Sequence, residues 1–539
     1  MTESLPQAFR GLLEPQAYPH EIDAVELVTT HVSWVLLAGE YAYKIKRPVR
    51  YAFIDLTSPQ RRRFLCEEEL RLNRRFAPEL YIDVCRIVAA GGAARFEAVG
   101  PARAGSGSDE EGVLDYAVRM RRFSRAEELD RLLDGERIEP HELEMFGREL
   151  AQLHALLPAA PAAEVWGTAE VVWAQILRNL LECADAAAVF GSRREIMALR
   201  HPLQAKLAAS ESSLAARRED GRIRECHGDL HSRNIVRLRG RLVAFDCLEY
   251  EPAMRWIDTA DEIAFLTSDL QARARPLHAH AFRGGYLTES GDYQACRVLH
   301  LYEAHRALVR AKVAALSVVR QGSSGARDGL RQEHSRLVRF AAGALAPKTP
   351  RLLLMSGLSG SGKTWLAGQI AERLSAVHIR SDIERKRLAG LREHAQSHSR
   401  LGGDLYSPEA SAIVYQDLAH AADDVLSGHI PVIVDATFLE RAQRARFARL
   451  AAAHGAPLHL LVCEAPERVL RDRIAERRRI GRDSSEAGLD VLAWQTSRAE
   501  PPTPGEGIDV IHVDTVRPDA VDLALRRVGA AAGARSGQV

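Results

Sequence analysis

The sequence predicts two folds in one chain. An α+β module of two lobes spans about residues 1–345, and an α/β domain with a parallel sheet spans about 351–527. Three stretches support this division. HGDLHSRNIV (227–236) sets an Asp five residues before an Asn in a tight loop, and RLVAFDCLEY follows as a strand ending in Asp246. GLSGSGKT (357–364) stands between an apolar strand and a helix. APKTP (346–350), with two prolines and little apolar content, marks the boundary between the two regions.

At 539 residues the chain exceeds what one hydrophobic core supports, so three or four structural units are expected. These are an N-lobe (about 20–120), a C-lobe (about 121–345), the α/β domain and a disordered tail (528–539). The formal net charge of +1 excludes a global field drawing the chain to nucleic acid or membrane, while local basic patches stay open. The cysteines at 66, 85, 183, 226, 247, 296 and 463 contain no Cys-x-x-Cys pair, which argues against a zinc site or a disulfide framework. The opening MTESLPQAFRGLLEPQ has no basic stretch leading into an apolar core, and no apolar run approaches a membrane span. A reducing, cytoplasmic setting without membrane contact is expected.

VELVTTHVSWVLLAGEYAYKIK (25–46) alternates apolar and polar residues about a Gly-Glu turn at 39–40, so it reads as strands. Residues 59–76 read as a helix, and strands return near 82–88 and 113–120. The intervening GGAARFEAVGPARAGSGSDEEG reads as a flexible excursion. Helical texture fills 125–220, with HELEMFGRELAQLHALL (141–157) clearly amphipathic. Two short strands follow, near 234–238 and 241–245. Helices then occupy 257–345, broken by a loop at QGSSGARDG (321–329). From 351 the order strand, loop, helix, strand, helix predicts a parallel sheet.

RLLLMSGLSGSGKTWLAGQIAERL contains every part of a phosphate-binding loop. Gly357, Gly360 and Gly362, with Ser359 and Ser361 between them, let backbone N–H groups curl around phosphate oxygens. The helix N-terminus adds positive potential. Lys363 reaches the outer phosphates of ATP, and Thr364 holds Mg²⁺. Asp382 follows the next strand, in VHIRSDIERKRL; there a carboxylate accepts a proton from an attacking hydroxyl, or else simply caps the next helix. Arg385, one turn on, suits an acidic group of a substrate. IPVIVDATFLERAQR ends a strand at Asp435, a second candidate for Mg²⁺. PERVLRDRIAERRRIGRD (466–483) carries seven arginines, and Arg473 and Arg477 share a face. That segment reads as a lid closing over ATP, as a solvated helix face, or as a nucleic-acid patch.

Taken in order, Gly-x4-Gly-Lys-Thr, Ser-Asp-x-x-Arg, Val-Asp-Ala-Thr and Arg-x3-Arg resemble the AAA-type 33 group of small P-loop kinases, which includes polynucleotide kinase, zeta toxin and gluconate kinase. The resemblance covers about 351–527. It implies Lys363 and Thr364 at ATP, Asp382 as base, Arg385 at the substrate and Arg473 with Arg477 in the lid. The group acts on diverse acceptors, so no substrate transfers.

In the first module, Asp229, Asn234 and Asp246 have the order of a base and two metal ligands at a phosphoryl-transfer site. YAYKIK supplies a phosphate-binding lysine; Ala42 and Lys44 share a strand face, which favours Lys44 over Lys46. EEELRLNRRF supplies its carboxylate partner, with Glu69 preferred over Glu67 and Glu68. His-Gly-Asp-Leu-His-x-x-Asn, then a strand and Asp, resembles the aminoglycoside phosphotransferase and choline kinase branch of the protein-kinase-like fold, over about 25–320. His154 and Asp258 read as structural within it. A Gly-rich phosphate loop is missing, and FDCL replaces Asp-Phe-Gly, so protein-kinase-style switching is not expected.

The whole arrangement resembles bacterial fusions of an aminoglycoside phosphotransferase-like module with a P-loop ATP-binding domain. The resemblance implies two ATP- and Mg²⁺-dependent modules, each phosphorylating a hydroxyl of a small molecule, with possible regulation of one domain by the other. Two alternatives stay open: a regulatory or binding N-terminal module, and a C-terminal nucleic-acid 5′-hydroxyl kinase or NTPase.

Overall fold

The computed structural model describes residues 5–51, 54–98, 112–318, 324–393, 395, 407–480 and 488–535. By spatial proximity the chain forms two compact units. The first contains 1–142, 153–168 and 218–266; the second contains 143–152, 169–217 and 267–539.

In the first unit, alternating sequence becomes a six-stranded antiparallel sheet. Its spatial order is Val25–Thr29, Ser33–Ala38, Tyr41–Lys46, Val113–Arg121, Tyr81–Ala90 and Ala93–Ala98. The last strand is a correction: Ala93–Ala98 falls in the expected flexible excursion, yet it pairs with Tyr81–Ala90 across a tight turn and buries Ala94 and Phe96. The rest of that excursion, 99–111, lies outside the described residues. One sheet face buries Trp34, Leu36, Tyr43, Ile45 and Phe96 with Phe9 and Leu12. The other face carries Ala42, Val118 and Met120 toward Cys66 and Leu70 of the helix Pro59–Phe76. Ser58 caps that helix by accepting from Arg61 N–H, and Pro59 stands in its first turn. Leu65, Cys66, Glu69, Leu72, Asn73 and Phe76 form its buried stripe. Arg62 binds Asp115 of the sheet from within this packing, at 2.8 Å.

Beside the sheet, Ile235–Leu238 pairs antiparallel with Arg241–Ala244, and Ile223–Glu225 pairs antiparallel with Trp256–Asp258. The second pair is too short to leave a sequence signal.

The second unit holds the long helices Ala169–Ala186, Arg200–Glu219, Pro276–Ser290, Ala295–Val318 and Ser324–Leu345, together with a five-stranded parallel sheet. Ser324–Leu345 begins inside the stretch expected to be a loop; its amphipathic pattern recruits the nominal breakers, and 319–323 are outside the described residues. The sheet order is Val377–Arg380, Val432–Asp435, Leu352–Ser356, Leu458–Glu464 and Asp509–Asp514. Leu352–Ser356 is central and wholly buried, as its unbroken apolar run requires. The last helix, Ala520–Arg535, runs past 528, where disorder was expected; alanine-rich sequence has high helix propensity.

Arg444 is almost fully buried and clamps the chain beside the sheet. It grips Glu506 at 2.7 and 2.8 Å and donates to the carbonyls of Phe438, Leu439 and Glu500. The guanidinium holds the Glu506 carboxyl down at about 2, against an ordinary value of 4.5. A depressed carboxylate stabilises the fold above its ordinary pKa and loses that contribution as pH falls through its folded one. Arg444→Met therefore costs about 3–5 kcal/mol at neutral pH by stranding Glu506. The gap from wild type narrows between about pH 4.5 and 2. Urea melts at pH 7 and pH 3 check both.

Candidate active sites

In the first unit, strand alternation puts Lys44 and Lys46 on the same face as Ala42, both toward the helix Pro59–Phe76. Both reach Glu69. Lys44 Nζ meets Oε1 and Lys46 Nζ meets Oε2, each at 2.8 Å. Lys44 also contacts Asp246, and Lys46 contacts Glu249. The choice between the lysines becomes a division of labour. Lys44 joins Glu69 to Asp246, while the more buried Lys46 joins Glu69 to Glu249. Glu67 and Glu68 turn to Arg63 and Arg71 instead. Burial works against the Glu69 anion, but two adjacent ammoniums outweigh it and hold its carboxyl low. Glu249 has one close lysine, and burial pushes it up.

The loop carrying Asp229 is held from below. Both Glu262 oxygens accept backbone N–H groups, from His227 at 2.7 Å and Gly228 at 3.0 Å. Asn234 Nδ2 donates to Asp229 Oδ2 at 2.8 Å and to the Asp229 carbonyl at 3.0 Å. Phe245 N–H donates to the Asn234 carbonyl, so the hairpin 235–244 brings Asn234 and Asp246 to the same end. Asp246 adopts φ 65°, with its N–H on Tyr81 Oη at 3.1 Å, while Cys247 N–H is taken by Asn73 Oδ1 at 3.0 Å. The structure thus brings Lys44, Glu69, Asp229, Asn234 and Asp246 into one bonded chain of contacts. It adds Asn73, Tyr81, Lys46, Glu249 and Glu262, which the sequence reading did not assign. Asn73 was findable, since it lies one turn after Glu69 on the same face. Asp258 accepts Ala260 N–H at a helix start, a structural role.

In the second unit, a cleft of about 880 Å³ opens at the carboxyl ends of the strands. Lys363, Thr364, Asp382, Arg385, Asp435, Arg473 and Arg477 line it, with Ser359, Gly360 and Gly362 of the loop. Gly357, Gly360 and Gly362 all have positive φ, between 81° and 133°, the loop's reason for glycine. Gly357 and Ser361 are not on the cleft wall. Gly357 abuts the Cys463 carbonyl, and Ser361 is buried, its carbonyl bound by Thr515 Oγ1 at 2.6 Å.

The helix Lys363–Leu374 starts directly after Gly362, so its free N–H groups point into the loop. Lys363 Nζ rests on the Leu358 carbonyl at 2.8 Å. Burial lowers the Lys363 pKa; Asp435 and Asp382 oppose that, and the Arg477 charge adds to it. His378 Nε2 is 3.4 Å from Asp435 Oδ2, and Thr364 lines the cleft beside that carboxylate. Asp382 lies in the first turn of Ser381–Leu388, after the strand ends at Arg380. Arg473 is pinned to the loop, donating to the Gly360 carbonyl at 3.2 Å and to Thr515 Oγ1 at 3.0 Å. Residues 481–483 of the arginine-rich segment lie outside the described residues. The sequence reading did not assign His378, Gln495 (which accepts Ser359 N–H at 2.8 Å), Thr515 or Trp494. The donor sets Thr364/Asp435 and Asn234/Asp246 offer oxygen, which fits Mg²⁺.

Two substitutions separate the roles in the first site. Glu69→Gln leaves two buried ammoniums short of charge and costs about 3 kcal/mol or more, whereas Glu249→Gln costs about 1 kcal/mol or less. Gly228 has φ 84°, and a Cβ there would lie 2.6 Å from the Met254 carbonyl, so Gly228→Ala distorts the Asp229 loop at a cost of about 1–3 kcal/mol. Denaturant melts check all three.

Residues 352–502 match the family model described as an AAA domain. The uncharacterized protein Rv2004c of Mycobacterium tuberculosis (strain ATCC 25618 / H37Rv) is 28% identical over 485 residues, covering 90% of this chain and 92% of that one. A gluconokinase from Sinorhizobium meliloti 1021 aligns with 36% of this chain and 99% of its own, at 23% identity and TM-score 0.26. The ethanolamine kinase Pv091845 of Plasmodium vivax aligns with 59% of this chain and 81% of its own, at 12% identity and TM-score 0.34. The described residues contain no helix long and apolar enough to cross a membrane. The parallel strands from Leu352–Ser356 to Leu458–Glu464 and the positive-φ glycine loop described above lie within the residues that match that AAA domain model.

Proposed function

We propose that the chain is an ATP- and Mg²⁺-dependent phosphotransferase with two sites, each moving the γ-phosphoryl group of ATP to a hydroxyl of a small molecule. The observation that carries this reading is that each fold brings a lysine for phosphates into one site with a carboxylate suited to act as base. In the first site, Lys44 exchanges its Asp246 contact for a phosphate oxygen while Glu69 keeps it in place. Asp229 is oriented by Asn234, and it accepts the proton of the acceptor hydroxyl as that oxygen attacks the γ-phosphorus and ADP leaves. In the second site, the glycine loop and Lys363 hold the phosphates, Asp382 takes the proton, and Arg477 offsets developing charge. Asn234 with Asp246, and Thr364 with Asp435, are the residues that would hold Mg²⁺. Bound there, the ion screens phosphate charge.

The far wall of the second cleft favours an anionic acceptor. Arg446 and Arg498 line it, and Arg498 stacks on the half-exposed Trp494 at 5.2 Å. A phosphorylated metabolite fits this wall, and so does the end of a nucleic acid, which keeps the 5′-hydroxyl kinase as a second reading. The proposed setting is cytoplasmic.

Full-length protein with γ-labelled ATP and a metabolite extract tests the reading. Two labelled small molecules are expected. Asp229→Asn removes one and Asp382→Asn removes the other, each by about 10²–10⁴-fold. Label on a 5′-hydroxyl oligonucleotide, lost with Asp382→Asn, would favour the second reading. Loss of both products with either variant would contradict two separate sites.

A further inference from the structure

The helix Ser381–Leu388 has two working faces. Asp382 and Arg385 line the cleft. Glu384 and Arg387, also one turn apart, point elsewhere within the same compact unit. Glu384 is only 2% exposed; it accepts the Tyr293 hydroxyl at 2.7 Å and a guanidinium N–H of Arg387. The other end of that guanidinium donates to the Thr288 carbonyl. Tyr293 and Thr288 belong to the helix Pro276–Ser290 and the turn after it, well before the P-loop domain in sequence.

Neighbouring residues of that segment hold the far ends of other elements that reach the cleft. Arg283 donates to the carbonyl of Ser375, the left-handed cap ending the P-loop helix, at 2.7 Å. Arg297 binds Asp423 and Asp424 at 2.5 Å each, on the helix Pro408–Ser427. That helix also supplies Tyr415, whose hydroxyl accepts Phe438 N–H just beyond Asp435. Gly428 meets the Cys296 carbonyl so closely that a Cβ would lie 2.1 Å from it.

An eight-residue helix has little stability of its own, so what it docks against decides its rotation. A buried carboxylate must keep its donors, which makes the Glu384 contacts directional. We propose that Tyr293 and Arg387 are positioning residues of the P-loop site. They fix Ser381–Leu388 about its axis so that Asp382 and Arg385 face the cleft. Residues 276–297 are then a working part of the P-loop enzyme. This rests on the reading of Asp382 as the base.

The test uses the full chain carrying Asp229→Asn, so that only the P-loop site turns over Mg-ATP, with phosphate release and a fluorescent ADP analogue as probes. Tyr293→Phe and Arg387→Met are expected to lower kcat about ten- to a hundredfold while leaving analogue affinity within about twofold. Added to Asp382→Asn, neither should cause a further loss. Hydrogen exchange reads the latch itself. Amides of 381–388 should exchange at least about tenfold faster, those of 363–374 unchanged. Unchanged exchange at 381–388, or faster exchange with unchanged kcat, would overturn the proposal. So would a parallel loss of kcat and analogue affinity. A parent without Asp382-dependent turnover sinks the base assignment and the positioning role with it, while exchange still decides the latch.

Discussion

Glu69 is a carboxylate with no solvent, and two lysine ammoniums make its burial tolerable. Everything at the first site hangs on that arrangement. The strand can place both lysines only because alternation puts residues 44 and 46 on one face. The helix can present Glu69 only because its apolar stripe turns that way. Lys44 then reaches Asp246, and Asp246 in turn ends the hairpin that positions Asn234 beside Asp229. An isolated buried charge would cost several kcal/mol, so the pairings dictate where these side chains sit.

The second site solves the same problem with backbone. Lys363 is half-buried at the cleft, rests on the Leu358 carbonyl and feels the charges of Asp435 and Asp382. Its cradle is made of positive-φ glycines and a helix N-terminus, which bring N–H groups rather than side chains to a phosphate. Under the proposed function, one fold would grip with a salt-bridged lysine from a sheet and the other with a loop, and each would use its own carboxylate as base.

Much of this was legible because the decisive residues are local. Glycine loops, His-Gly-Asp, and a lysine on an alternating strand are encoded over a few residues. Glu69 could be chosen over its neighbours from helix phase alone. The contributions of His378, Gln495 and Thr515 were not legible, because each reaches its site across 57 to 154 residues of sequence. The Ala93–Ala98 strand was masked by flanking glycines, and the helices at 324 and beyond 528 by residues that look like loop out of context. The face of Ser381–Leu388 that meets Tyr293 reads as ordinary solvated charge until the fold buries it.

The claim of two nucleotide sites is tested most directly by counting them. Calorimetric titration of the full chain with Mg²⁺ and a non-hydrolysable ATP analogue should give two nucleotides per chain, one after either Lys44→Met or Lys363→Met, and none in the double variant. A single nucleotide in wild type, abolished by Lys363→Met and untouched by Lys44→Met, would contradict the account and leave the first fold without an ATP of its own.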